Sequence, residues 1–143
     1  MASFNFLWRQ RAVFPISSSN FYRAWGKRFF SMPELIRRNS RRRKLVREGA
    51  VIHESAEVGE VTIDGHKKLL AIGPLSFIGK VLIALHDEVV IGERACINDG
   101  VRILTASHDV ADPEWKRTQG KVVIGDYVWI GIGAIILPGV HLG

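Results

Sequence analysis

The sequence predicts an all-β parallel solenoid behind a basic, partly helical N-terminal arm. Three observations carry that prediction. Between Ile72 and Gly143 an aliphatic residue returns every six positions, usually with glycine after it: Ile72-Gly73, Ile78-Gly79, Ile91-Gly92, Ile97, Ile103, Ile124-Gly125, Ile130-Gly131, Ile136 and Leu142-Gly143. Such a period fits neither a helix, whose apolar residues recur about every 3.6 positions, nor a half-buried strand, which alternates residue by residue. The sixfold register also resumes after a long interruption, and the charge divides sharply between arm and repeats. Residues 1 to 50 carry 12 Lys and Arg against 2 Asp and Glu, whereas residues 51 to 143 carry 8 against 12.

In the arm, Ser31-Met32-Pro33-Glu34 reads as a capping box with proline in the first turn. It predicts a helix through Leu35, Ile36, Leu45 and Val46 to a stop at Gly49, carrying Arg37-Arg38-Asn39-Ser40-Arg41-Arg42-Arg43-Lys44. Upstream, Phe21 to Phe30 interleaves aromatics with cations, a composition suited to an anionic membrane surface. Nucleic-acid binding and an organelle transit peptide fit the same composition less well. The plainest alternative is a helix packed on the solenoid with a solvated cationic face. Arg9 and Arg11 interrupt the apolar core that a signal peptide would need.

From residue 51 onward each repeat supplies one short flat face and a corner. Three repeats make a coil, and coils stack at about 4.8 Å. The first residue of each repeat fills the interior. Four positions on, a second inward residue sits near a corner: Ser76, Leu82, Ala95, Val101, Ser107, Val128, Ala134 and Val140. Two spacings break the period. Ile78 to Ile91 is 13 residues, which a repeat starting at Leu85 repairs, and Ile103 to Ile124 is 21, which expels residues 109 to 123 as a loop.

Composition sets bounds. A chain of 143 residues that is 47% hydrophobic can bury a real core. A single cysteine, Cys96, allows no internal disulfide and reads as packing in a reducing compartment, the cytoplasm. No run of apolar residues is long enough to span a bilayer.

The chemistry concentrates in Thr105-Ala106-Ser107-His108-Asp109-Val110-Ala111-Asp112-Pro113-Glu114-Trp115. From Ile91 to His108, and again from Ile124 to Gly143 with its Val128-Trp129-Ile130-Gly131, the chain resembles the left-handed β-helix, or hexapeptide-repeat, acyltransferases. Within them it is most similar to the branch of maltose and galactoside acetyltransferases and of polysaccharide O-acetyltransferases. The resemblance covers residues 72 to 143, about half of the chain. It implies a homotrimer that moves an acetyl group from acetyl-CoA to a hydroxyl of a saccharide or similar acceptor in polysaccharide biosynthesis.

By that resemblance His108 is the catalytic general base. Imidazole suits the task because its unperturbed pKa of about 6.5 leaves it largely neutral near pH 7. Trp129 matches the tryptophan beside the reacting end of the cofactor, with Gly131 and Ile132 lining the pantetheine channel. Asp87, Asn98, Asp99 and Asp109 are the candidates for acceptor binding. In this branch the site lies between subunits, and the loop would reach toward the neighbour.

Other chemistries fit worse. His53, His66, His86 and His141 share no metal-ligand spacing, so no metal is expected. Ser107-His108-Asp109 is a poor hydrolase triad, because adjacent residues rarely point at one another. The family continues past the position where this chain stops at Leu142-Gly143, so the β-helix domain of residues 51 to 143 reads as C-terminally truncated. Two functions stand: an acetyltransferase held near the inner face of a membrane by its arm, or a non-catalytic solenoid trimer that serves as a scaffold.

Overall fold

The computed structural model describes residues 14 to 143. The first 13 residues of the predicted arm lie outside the described residues. Among the described residues a single helix, α1 (Ser19–Arg47), precedes the solenoid. It begins at Ser18, whose hydroxyl accepts from the Phe21 N–H at 3.2 Å. The predicted capping box at Ser31 to Glu34 is therefore no helix start: Pro33 lies inside α1. Ser18 does the capping a dozen residues earlier, and the aromatic segment belongs to the same helix. The predicted stop is correct. Gly49 has φ of 105°, and the N–H groups of Gly49 and Ala50 return to the carbonyls of Val46 and Leu45 at 3.1 and 3.0 Å. This closure satisfies carbonyls that a helix end leaves open, and the left-handed residue at its centre favours glycine.

The first coil holds β1 (Val51–Ile52), β2 (Glu57–Val58) and β3 (Val61–Gly65). The second holds β4 (Leu70–Ile72), β5 (Phe77–Ile78) and β6 (Val81–Leu85), and the third β7 (Val89–Ile91), β8 (Cys96–Ile97) and β9 (Arg102–Leu104). A hairpin of β10 (Ala106–His108) and β11 (Arg117–Gln119) follows. The fourth coil is β12 (Val122–Ile124), β13 (Trp129–Ile130) and β14 (Ile135–Ile136), and β15 (His141–Leu142) opens a fifth. Strands stack in parallel into three sheets: β1-β4-β7-β12-β15, β2-β5-β8-β13 and β3-β6-β9-β14. We call these the first, second and third faces of the prism.

The sixfold residues make the core. Ile72, Ile78, Ile91, Ile97, Ile103, Ile124, Ile130 and Ile136 are all buried. Of the predicted second inward residues, Ser76, Ala95 and Val101 are buried, and Val128, Ala134 and Val140 pack against the core. Leu82 and Ser107 are exposed instead. The Leu82 error comes from the register. Ile83, not Leu85, pairs with Ile63 and Ile103, so the repeat after Ile78 is one residue short and the next corner is longer. Strand β6 alternates, with Val81, Ile83 and Leu85 inside and Leu82 out. Ser107 is exposed because it belongs to the hairpin.

Buried hydroxyls and corner carboxylates bond successive coils. Ser76 Oγ donates to the Gly92 carbonyl at 2.7 Å and accepts from the Ala95 N–H at 3.0 Å. Asp99 and Asp126 each accept a backbone N–H from the coil below, that of Lys80 and that of Glu93, both at 2.7 Å. At Gly79 and Gly92 a Cβ would collide with these carboxylates, so glycine is what lets each Asp approach.

The second half of α1 covers the open end of the first coil through Leu35, Arg42 and Leu45, all buried. Arg38 reaches Glu57 at 2.8 Å and lies 5.2 Å from the centre of the Phe77 ring. Arg41 reaches Glu60 at 3.4 Å, and both arginines bond Glu34 at 3.2 Å. The Arg38 guanidinium, with Arg41 beside it, holds the Glu34 carboxyl below its usual range against the opposing effect of burial.

Candidate functional site

The hairpin begins where the third coil ends, at Thr105. Its side chain is fully buried: Oγ1 donates to the Ala84 carbonyl at 2.7 Å and accepts from the N–H groups of His86 and Asp87 at 2.8 and 2.9 Å. With Thr105 anchored on the coil below, the next residues turn away from the prism. The predicted loop of residues 109 to 123 thus starts earlier, at Ala106, and ends earlier, because Val122 is already back in the first face. It is ordered, with Ala106, Ser107 and His108 paired to Gln119, Thr118 and Arg117.

His108 ends β10 and is exposed. Its Nδ1 lies 2.6 Å from the Trp115 carbonyl oxygen. A carbonyl only accepts, so Nδ1 donates to it, and in the neutral ring the lone pair is then on Nε2. The turn that presents this carbonyl is stiffened by its own side chains. Asp109 Oδ1 accepts from Ala111 N–H and Asp112 Oδ1 from Glu114 N–H, each at 2.9 Å. Trp115 N–H donates to the Asp112 carbonyl at 2.9 Å, and Asp109 N–H to that of Lys116 at 2.8 Å. Trp115 has φ of 52°, an uncommon conformation for a bulky residue, and its indole lies exposed 6.4 Å from the imidazole. The sequence reading gave Trp115 no role. Nothing in its spacing shows that its carbonyl faces His108.

The other candidates fall into two groups on different corners. Asp87 sits directly below the hairpin, its N–H bonded to Thr105 and its carboxylate accepting from Glu88 N–H at 2.7 Å. Asp109 adjoins His108. These three share the corner between the third and first faces. Asn98, Asp99, Gly131 and Ile132 share the corner between the second and third faces, one coil apart. There Asn98 Nδ2 donates to the Ile130 carbonyl at 3.0 Å, and Asp99 holds Lys80 N–H, so both polar side chains bond neighbouring coils. Trp129 opens β13 on the second face, 75% exposed, and Ile132 is 82% exposed. A Cβ on Gly131 would meet nothing within 4 Å.

One chain therefore does not bring His108 and Trp129 together. Each face of the prism is about 15 to 20 Å wide, from six residues at roughly 3.3 Å each, and the first face lies between their corners. Cys96, half-buried in β8, pairs with Trp129 across the second face. Among the described residues no cluster of three or more His, Cys, Asp or Glu is placed to hold a metal. A groove of about 450 Å³, lined by Arg41, Leu45, Val58, Val61 and Lys67, lies between α1 and the first coil.

No family profile matches the chain. A stretch of 57 residues, 37% of the chain, is 49% identical to nodulation protein L of Rhizobium meliloti, covering 31% of that protein. Over 59 residues, 39% of the chain, it is 37% identical to a galactoside O-acetyltransferase of Lactococcus lactis, covering 28% of it. The chain thus matches less than a third of the length of these curated relatives. A crystal structure of a hexapeptide-repeat-containing acetyltransferase of Vibrio cholerae, complexed with acetyl-CoA, superimposes over 92% of this chain and 75% of its own, with a TM-score of 0.64 and 25% identity. The repeat register, the parallel three-faced solenoid and these likenesses agree: over its repeats the chain is similar to hexapeptide-repeat acetyltransferases.

Proposed function

We propose that the protein transfers an acetyl group from acetyl-CoA to a hydroxyl, with His108 Nε2 as general base. The observation that carries this reading is the hydrogen bond from exposed His108 to the Trp115 carbonyl, which engages Nδ1 and makes Nε2 the nitrogen that can take a proton in the neutral ring. Acetyl-CoA supplies an activated thioester carbonyl. His108 accepts the acceptor's hydroxyl proton as the oxygen attacks that carbonyl, and the imidazolium returns the proton to the departing thiol. No covalent bond to the protein is required. The exposed strip of Trp129, Gly131 and Ile132 fits a slender, largely apolar pantetheine arm, since it is open and glycine permits close approach.

The separation of His108 from Trp129 supports a homotrimer, in which one subunit's hairpin stands against a neighbour's second face. Exposed Ile135 and Leu137 in the fourth coil extend the apolar surface available for such packing. A saccharide is the proposed acceptor, with Asp87 and Asp109 nearest His108. The galactoside O-acetyltransferase among its relatives supports that class. The second reading is a non-catalytic solenoid trimer that serves as a scaffold.

The test is thiol release from acetyl-CoA with galactosides as acceptors, for the wild type and His108→Ala. We expect the variant to lose about 10²- to 10⁴-fold in rate with its sedimentation unchanged. A variant as active as the wild type would remove His108 from the chemistry, and an inactive wild-type trimer would favour the scaffold.

A further inference from the structure

The first half of α1 is held by little of the solenoid. Before Leu35, no described side chain of the helix is buried. At 100° per residue, Phe21, Tyr22, Trp25, Phe29, Met32 and Ile36 fall within an arc of about 100°. That arc is on a different side of the helix from Leu35, Arg42 and Leu45, which face the first coil. Tyr22, Phe29 and Ile36 are 66, 77 and 53% exposed. An aromatic stripe exposed at Tyr22, Phe29 and Ile36, on a helix that already has a packing face, offers a second surface.

Charge says which surface. No acidic residue precedes Glu34 in the chain. Arg23 and Lys27 are exposed on other sides of the same half of the helix. Two and three turns past Ile36, the same arc is continued by exposed Arg43 and Arg47. The outer face of α1 thus begins aromatic and ends cationic, with no carboxylate on it. Two copies packed in parallel through this face would set arginine against arginine, which opposes that self-association. A nucleic acid would pair with the cations but leave Phe29 and Ile36 in water. An anionic bilayer surface meets both demands: aromatic rings settle at the boundary of headgroups and acyl chains, and guanidinium groups meet phosphates and carboxylates.

We infer that the outer face of α1, through Tyr22, Trp25, Phe29 and Ile36 with Arg43 and Arg47, docks on an anionic lipid surface. The helix lies in the plane of the interface. No helix of the described residues is long and apolar enough to cross a membrane, and the inference is one of surface contact. Residues 51 to 143, with four more acids than bases, are repelled by the same surface and face away from it. This inference rests on α1 alone and does not depend on acetyl transfer.

The test is flotation of the full chain with phosphatidylcholine vesicles, with and without phosphatidylserine. We expect the wild type to float with the anionic vesicles and to be released by salt. Trp25→Ser with Phe29→Ser should lower partitioning about tenfold or more. Arg43→Gln with Arg47→Gln should lower it about fivefold for each cation removed. The solenoid's unfolding midpoint, read in the same variants, should not move. No flotation, equal flotation with neutral vesicles, or unchanged partitioning of the aromatic variant would each overturn the inference. So would a loss of oligomer size in the aromatic variant, which would assign the stripe to a second copy of the chain, or wild-type retention by RNA in place of vesicles.

Discussion

His108 Nδ1 is bonded at 2.6 Å to the main-chain carbonyl of Trp115, seven residues further along the chain. That bond fixes both the tautomer and the orientation of an exposed ring, and the orienting group is backbone, supplied by a residue in left-handed conformation. A left-handed bulky residue costs about 1 to 2 kcal/mol, which the turn's own hydrogen bonds offset. The hairpin is therefore a rigid mount for the imidazole.

Loosening that mount should slow catalysis without removing it. Asp112→Ala deletes the acceptor for Glu114 N–H and frees the turn before Trp115. We expect kcat to fall about five- to tenfold, as for one lost hydrogen bond, with the KM for acetyl-CoA unchanged. A steady-state comparison with the wild type decides it; equal kcat would show that the carbonyl stays in place unaided.

If the strip on the second face receives the acetyl donor, removing its indole should be felt in binding. Calorimetry of Trp129→Ala should show acetyl-CoA affinity reduced about tenfold or more, from the apolar area lost. Unaltered affinity would place the donor elsewhere on the prism.

The corrected register makes a paired prediction about stability. Ile103 is fully buried in the third coil, whereas Leu82 is 40% exposed. Ile103→Ala should cost about 2 to 5 kcal/mol, and Leu82→Ala under about 1 kcal/mol, by urea unfolding. A large loss at Leu82 would restore the register that counts it as inward.

Docking of α1 should depend on acid. Glu34 is held below its usual pKa, first by its bond from Arg38 and then by Arg41. A carboxyl with a lowered folded pKa stabilises the fold above its unfolded value of about 4.3. That contribution is lost as pH falls through the lower folded value. Proteolysis of α1 should accelerate as the pH drops below about 4, and Glu34→Gln should be cleaved faster at neutral pH with less dependence on acid. A variant that keeps the wild-type acid profile would exclude Glu34.

Much of the fold is legible in the chain because the solenoid writes itself locally. Each inward isoleucine contacts residues one coil away, so a repeat of six in sequence becomes a repeat in space. The expected register fails at Leu82 and Leu85, and at Ser107, where the hairpin leaves the prism. A repeat shortened by one and a corner lengthened by two leave the same total spacing between Ile78 and Ile91, and counting cannot divide it. The start of α1 was misplaced for a related reason: Ser31, Pro33 and Glu34 have the chemistry of a helix start, but Ser18 with its own cap lets the helix run through them.

The sequence by itself determined the parallel solenoid, the charged division between arm and repeats, and the residues that carry the resemblance, His108 and Trp129. Only the tertiary structure decided which of the candidates meet. It set Asp87 and Asp109 with His108 on one corner, and Asn98, Asp99, Gly131 and Ile132 on another, and it supplied the Trp115 carbonyl that the residue pattern does not show. The reason is physical. Inward positions follow a period, because burial acts on every repeat alike, whereas the corner on which an outward side chain stands depends on each local turn and on the hairpin that leaves the prism at Thr105.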